Sequence, residues 1–298
     1  MEGGKLILVL KIIVNQQTLS CGIKRSSFLK LLSPPYGCEV WGCSISRESW
    51  RKIEQIQKRF ITYNLKIKNN TPYLILLIEV GLPPIESMAM TRYMMYKHKI
   101  NNMGNKRLPK IALESSQNHL RLKRGWCKDT MAWLNHWWID ENDTLQNINN
   151  VKNIITSKFK EKMWCEKDLE VKRKLRYYKE VINPNLEDQK YLSVLASTKK
   201  TINIAKIRTN SHELHSEIGR WTIPKTPWAE RICHICETMS IEDEKHFLLN
   251  CPAYTHIRSQ FPNLCYNTDL PTLLTAQNYS ELGTLLVLLF EHRNKILK

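Results

Sequence analysis

Four residues near the C-terminal end carry the clearest chemistry in the chain: Cys233, Cys236, His246 and Cys251, spaced C-x2-C-x9-H-x4-C. Two cysteines separated by two residues fit on one tight turn and can present both thiolates to one ion. A histidine and a cysteine five positions apart then close a tetrahedron from a second short segment. Three sulfurs and one imidazole suit Zn²⁺, and four protein ligands leave no position for a reactive water. The spacing therefore predicts a structural zinc site rather than a catalytic one. Cys21, Cys38, Cys43, Cys127, Cys165 and Cys265 show no second ligand spacing. No Ser, Cys or His has a recognisable catalytic setting, so the chain is expected not to be an enzyme. Glu242, Asp243 and Glu244 precede His246. One such carboxylate is placed to orient a metal-bound imidazole, while at least two of the three are expected to form a solvated acidic turn.

The elements that must hold these residues read as helices. Trp50, Ile53, Ile56 and Phe60 repeat at helical spacing, with basic residues off that stripe. Leu74 to Val80 is an apolar segment stopped by Gly81-Leu82-Pro83-Pro84. Ile85 to Ile100 reads as a helix carrying Met88, Met90, Met94 and Met95, a pattern of packing surfaces. Trp137 and Trp138 are expected in a core. Val151, Ile155, Phe159 and Met163, then Leu175, Tyr178 and Ile182, mark a long amphipathic helix ended by Asn183-Pro184-Asn185. Tyr191 to Ile218 reads as further helix with Gly219 as its left-handed stop. The expected fold is mainly α, with helical domains and a small C-terminal zinc-knuckle-like module. Its expected parts are an unassigned segment (1–35), a helical region (36–100), a basic linker (101–130), a helical domain (131–222), the knuckle-like module (223–265) and a helical tail (266–298). The apolar run Leu6 to Val14 is broken by Lys11 and reads as a buried element rather than a signal peptide. Leu282 to Phe290 is far shorter than the roughly 20 residues of a membrane span, so no membrane partner is expected.

The formal charge is +17 over 298 residues. Arg92 to Thr130 holds ten basic residues against two acids, and Val151 to Ile232 holds eighteen against ten, so each carries +8. From Cys233 to the end the balance is five against seven, or −2. Cations gathered this way predict a polyanionic partner, most often nucleic acid. Candidate phosphate contacts are Arg92, Lys97, Lys99, Lys106, Arg107, Lys110, Arg121, Lys123, Arg124, Lys128, Lys206, Arg208 and Arg220, with Trp221 placed to stack on a base. For Trp221 and Trp228, packing between the knuckle and the helices is the favoured of these two competing readings. Nine cysteines, three of them in the ligand set, favour a reducing compartment; the expected location is nuclear or cytoplasmic.

Several landmarks occur in order: Tyr36-Gly37-Cys38-Glu39-Val40-Trp41-Gly42, Glu79-Val80-Gly81-Leu82-Pro83-Pro84-Ile85, Ile207-Arg208-Thr209-Asn210, Gly219-Arg220-Trp221, and the ligand segment from Cys233 to Pro252. Over roughly residues 36 to 265 the chain resembles the C-terminal, thumb-to-zinc-knuckle third of the polyprotein of LINE-type non-LTR retrotransposons. The resemblance implies binding of nucleic acid, RNA favoured and DNA as the alternative, by a remnant without endonuclease or palm. Polymerases of that family hold two metal ions with an adjacent aspartate pair, and this chain has no Asp-Asp pair among its seven aspartates. The alternatives are a zinc-stabilised module that binds a protein partner through its methionine-rich helix and apolar tail, and a non-functional pseudogene product.

Overall fold

The computed structural model describes residues 36–118, 125–165, 177–266, 268–275 and 278–297. The expectations for Leu6 to Val14, Cys21 and Leu175 fall outside them. The main helices are α1 (Arg47–Leu65), α2 (Tyr73–Val80), α3 (Ile85–Asn101), α4 (Leu108–Asn118), α5 (Trp126–His136), α6 (Glu141–Gln146), α7 (Val151–Cys165), α8 (Thr198–Arg208), α9 (Leu270–Thr275) and α10 (Tyr279–Ile296), with short single turns between them. Among the described residues there is no strand, and the β-pairing is a single antiparallel bridge, Ile232 with Ile241. The mainly helical class is as the sequence predicts. No single described helix is long and apolar enough to cross a membrane.

Two compact units share the chain: Met1–Phe60 with Pro83–Leu169, and Ile61–Leu82 with Glu170–Lys298. This interleaving differs from the expected linear series. The stretch 101–130, read as a basic linker with local helix, contains α4 and the start of α5. Leu113 and Cys127 bury there against Ile100. Among the described residues of this stretch Leu113 and Cys127 are the buried apolar positions, with Trp126 partly buried against them, too few to show a clean helical period.

The first unit is built on aromatic packing. Trp50 stacks on Trp133 at 5.9 Å, and Trp137 on Phe159 at 3.7 Å between ring centroids. Both Trp133 and Trp137 donate their indole N–H to Oε1 of buried Glu86, each at 2.8 Å. Arg47 closes the far side of that carboxylate. Burial pushes the Glu86 carboxyl up, against the pull of Arg47 and the two indoles. Trp137 is buried as expected, but Trp138 is half exposed with a left-handed φ of 56°. Met90 and Met94 lie fully inside this core, whereas Met88 is half-buried and Met95 is 56% exposed.

His136, at the end of α5, has its pKa lowered from 6.5 to about 4, by burial and then by the charges of Lys162, Arg47 and Arg51. The unfolded chain would bind this proton near 6.5 and the folded chain near 4. Between those values the unfolded state carries more protons, so stability falls as pH drops through the window. An NMR titration of His136 is expected to show its midpoint well below 6; a midpoint of 6.5 or above would contradict this placement.

In the second unit, α2 is the apolar Leu74 to Val80 segment, and it stops where expected because Gly81 takes a φ of 63°, open to glycine at no cost. The expected Tyr191 to Ile218 helix is broken into a turn at Tyr191–Val194, α8, and a turn at His215–Ile218. Ser197 caps α8 through its hydroxyl, which accepts from the Lys200 backbone N–H. Asn210, at a left-handed φ of 49°, ends it. α8 lies along α10, burying Leu282, Leu285, Leu286 and Leu289. These leucines of the apolar tail are thus core, while Ile296 and Leu297 at its end are 47% and 45% exposed.

Candidate metal centre

The ligand segment folds as two short pieces that face each other. In the first, Met239 adopts a left-handed φ of 53° and turns the chain back on itself. The Cys233 N–H then donates to Ser240 O at 2.8 Å, and the Glu242 N–H to Arg231 O at 2.9 Å. In the second, His246–Asn250 forms a wide turn in which the Cys251 N–H donates to His246 O at 2.7 Å. A bond that spans five residues accounts for the H-x4-C spacing, because it returns Cys251 beneath His246. Asp243 Oδ1 accepts from the His246 N–H at 2.7 Å and fixes the start of the turn.

The result is convergence. One ligand atom from each of Cys233, Cys236, His246 and Cys251 lies within 4.8 Å of all the others. Cys236 Sγ and His246 Nε2 are 3.3 Å apart. A tetrahedral zinc with bonds of about 2.3 Å to sulfur and about 2.0 Å to nitrogen needs ligand atoms roughly 3.5 to 3.8 Å apart, so small side-chain rotations close the set. The protonation states also fit. Burial lowers the His246 pKa, which keeps the imidazole neutral as a ligand must be. Burial pushes the metal-free Cys251 thiol up to about 12 and raises Cys233. Cys236 is held below the ordinary thiol value, because hydrogen bonds led by Thr238 outweigh its burial. To act as ligands these two buried thiols would have to ionise, which a bound cation would favour. The Arg258 guanidinium, which donates to Cys251 O, adds positive charge beside the sulfurs.

The acidic run is not a solvated turn. Glu242 is 1% exposed and accepts a bidentate pair from Arg293 of α10 at 2.7 and 2.9 Å. Glu244 is buried against His212 at 2.7 Å. Burial opposes its charge, but His212 leads the interactions that hold its carboxyl below the usual range. Asp243 supports the His246 backbone rather than its ring. These acids therefore brace the module against the helices.

Of the candidate phosphate contacts, Arg92, Lys99, Lys106, Arg107 and Lys128 are exposed, while Lys110 and Lys206 are half-buried beside Glu114 and Glu213. Lys97 is corrected: it is buried and pairs with Glu141 at 2.6 Å. Arg208 is corrected more strongly, because it is 1% exposed with its Nε at 3.0 Å from Glu79 Oε1. A buried, paired guanidinium has no face to offer a phosphate. Arg121, Lys123 and Arg124 lie outside the described residues. Arg220 is half-buried and pairs with Glu217 at 3.0 Å. Trp221 and Trp228 are 59% and 47% exposed, so neither is packed away as the competing reading required.

Gly219 follows its helical turn with a φ of −61°, not the left-handed value expected of a stop. Its lack of a side chain serves space instead. A Cβ there would come within 2.7 Å of Arg231 Nε and 2.9 Å of its Cδ and Cγ. Arg231 thereby crosses close to the backbone and donates to Thr226 O and Ser216 O. Sequence reasoning missed Lys225, whose only signal was its place between two prolines in a tryptophan-flanked segment.

The fold and the site define a mainly helical protein with a Cys3His cluster near its C-terminus able to hold a metal ion. No protein-family model matches the chain, and no curated protein or solved structure is found to be similar to it.

Proposed function

We propose that the chain is a zinc-stabilised nucleic-acid-binding protein, RNA favoured, akin to the C-terminal region of LINE-type retrotransposon polyproteins and without polymerase chemistry. Cys233, Cys236, His246 and Cys251 would hold Zn²⁺, whose role there is to fix the fold. One observation carries the reading: five candidate cations, Arg92, Lys99, Lys106, Arg107 and Lys128, stand on the surface of a chain with a formal charge of +17. The protein-partner alternative has less surface to draw on, because Met90, Met94 and Leu282, Leu285, Leu286 and Leu289 are buried, and it would rest on Met95, Ile296 and Leu297, which are exposed. Phosphate contacts release counterions, so affinity for single strands should fall by about 0.7 log units per contact for each tenfold rise in salt. Replacing Lys99, Lys106 and Arg107 together by Gln is expected to weaken oligo(U) binding and to flatten that slope in a filter-binding salt series. Unchanged affinity and slope would remove these residues from the interface, and absence of binding by the wild-type chain would end the proposal.

A further inference from the structure

Arg220, Trp221, Lys225, Trp228 and Arg231 line a surface recess of about 390 Å³ beside the metal module. Its lining joins three cations and two indoles, with no acid. The volume lies in the range of small-ligand sites, roughly 300 to 1,000 Å³. Both indoles are about half exposed, and Ile223 between them is fully exposed. Trp50, Trp133 and Trp137 are buried, whereas Trp138, with Lys162 over its ring at 5.4 Å, is half exposed like Trp221 and Trp228; the recess differs in bringing two indoles and three cations to one lining.

The recess is held from several sides. Trp221 donates its indole N–H to Glu217 Oε1 at 3.3 Å, which anchors one edge of the ring. Glu217 is itself neutralised by Arg220 at 3.0 Å and Lys68 at 3.3 Å. Arg231 lies over the Trp228 ring at 5.6 Å from its centroid and is fixed by three hydrogen bonds to backbone carbonyls. Thr222 Oγ1 accepts from the Thr226 N–H at 2.9 Å and ties the loop across its base. Arg231 also accepts the Glu242 N–H on its carbonyl and stands two residues before Cys233. The metal module and the recess therefore share a residue.

A ligand that satisfies this lining must be planar and anionic at once. Indole faces attract flat π-systems in stacking geometry, and guanidinium and ammonium groups attract phosphate. We propose that this recess holds an unpaired nucleotide of single-stranded nucleic acid, its base against Trp221 or Trp228 and its flanking phosphates on Lys225 and Arg220. The inference rests on the nucleic-acid reading above and deepens it: the recess reads strandedness, while the exposed cations elsewhere supply affinity without it. A duplex keeps its bases stacked inside and has none to offer.

The test uses the full zinc-loaded chain with labelled oligo(U), oligo(dT) and an oligo(U)·oligo(A) duplex. Trp221→Ala and Trp228→Ala are each expected to weaken oligo(U) binding about 10-fold, with the salt slope unchanged, since base stacking is worth about 1 to 3 kcal/mol per base. Trp221→Phe and Trp228→Phe should restore most of that affinity, because phenylalanine still stacks. Lys225→Gln should lower the slope by about 0.7. None of the tryptophan changes should alter duplex binding. Equal loss for oligo(U) and oligo(dT) shows that the base and phosphate are read without the ribose; loss confined to oligo(U) shows that the 2′-hydroxyl contributes. If the Ala variants lose zinc, the Phe variants and quenching of tryptophan emission by oligo(U) decide the matter. Wild-type binding that none of the Trp221, Trp228 and Lys225 changes alters would overturn the recess and leave nucleic-acid binding standing. Displacement of oligo(U) by an acidic peptide with the same dependence on Trp221 and Trp228 would overturn the nucleotide assignment in favour of a protein ligand. A wild-type chain that binds no single strand would overturn both.

Discussion

Cys236→Ser is expected to abolish metal binding and to unfold the segment from about Arg231 to Arg258, while the first unit keeps its structure. The backbone of this module has one β-bridge and a few turn hydrogen bonds of its own. That is far too little regular structure to stand against the chain entropy of fixing it, about 1 to 2 kcal/mol per residue. A structural zinc would supply the difference, since apparent binding energies in zinc-finger peptides are about 10 to 16 kcal/mol. With one thiolate replaced by a hydroxyl, the remaining three ligands form a weak, open site. Metal analysis should give one Zn²⁺ per wild-type chain and none for the variant. Amide exchange should show early loss of protection at Cys233, Glu242 and Cys251, whose N–H groups make the bonds that shape the site. Cys38→Ser and Cys43→Ser should leave the metal in place, since neither belongs to the convergent set. Undiminished zinc in Cys236→Ser would reject the ligand assignment, and loss of zinc in Cys43→Ser would point to another site. Loosening should also reach α10, because the Glu242–Arg293 pair fastens that helix to the module.

The metal centre was legible in the sequence because its information is local. Cys233 to Cys251 spans one short segment, and spacing alone dictates that four ligands can meet. Two helix stops were legible for the same reason: Gly81 and the Asn183-Pro184 pair act on their own turns. What spacing cannot express is pairing between distant residues. Glu79 and Arg208 stand 129 positions apart, and Glu242 and Arg293 stand 51 apart. All four are buried, whereas the sequence reads Arg208 and Glu242 as surface charges. That is why Arg208 and Lys97 were misassigned to phosphate, and why the acids before His246 were taken as solvated. The interleaved units were hidden likewise, because α2 is apolar nearly all round and its sequence does not say which core it enters. The exposed Trp221 and Trp228 invert the usual expectation that tryptophan packs inside. Sequence alone does not say which tryptophans stay outside, and Trp138, at 49% exposed, is misread in the same way.

Glu79→Gln is expected to destabilise the second unit by about 3 to 5 kcal/mol, a large part of the roughly 5 to 15 kcal/mol that holds a typical protein folded. Both Glu79 and Arg208 are fully withdrawn from water. The carboxylate accepts from Arg208 Nε at 3.0 and 3.1 Å, from Tyr191 at 2.8 Å and from Tyr178. Arg208 also donates Nη1 to the Leu274 carbonyl at the end of α9. Burial pulls the guanidinium down, but Glu79 and the neighbouring phenols more than offset it, so Arg208 stays charged. Burial first, then the Glu79 charge, raises both tyrosines well above their usual range and keeps them as donors. A glutamine at 79 fits the same space and still offers one oxygen, yet it leaves the Arg208 charge without a counter-charge in a dry site. The cost should therefore come from electrostatics rather than lost packing. A double replacement separates the two: Glu79→Leu with Arg208→Met removes both charges and should recover much of the stability, because an apolar pair of similar size often replaces a buried ion pair at little cost. Urea denaturation of the wild type, the single variant and the double variant makes the comparison. A single variant within about 1 kcal/mol of wild type would show that water reaches the pair, and that Arg208 is not held as the structure places it. The position matters for the surface as well. α8 ends at Arg208, and the chain runs from there through His212, bonded to Glu244, into the turn that presents Arg220 and Trp221. Loss of the buried pair should therefore weaken single-strand binding through a residue that never touches it.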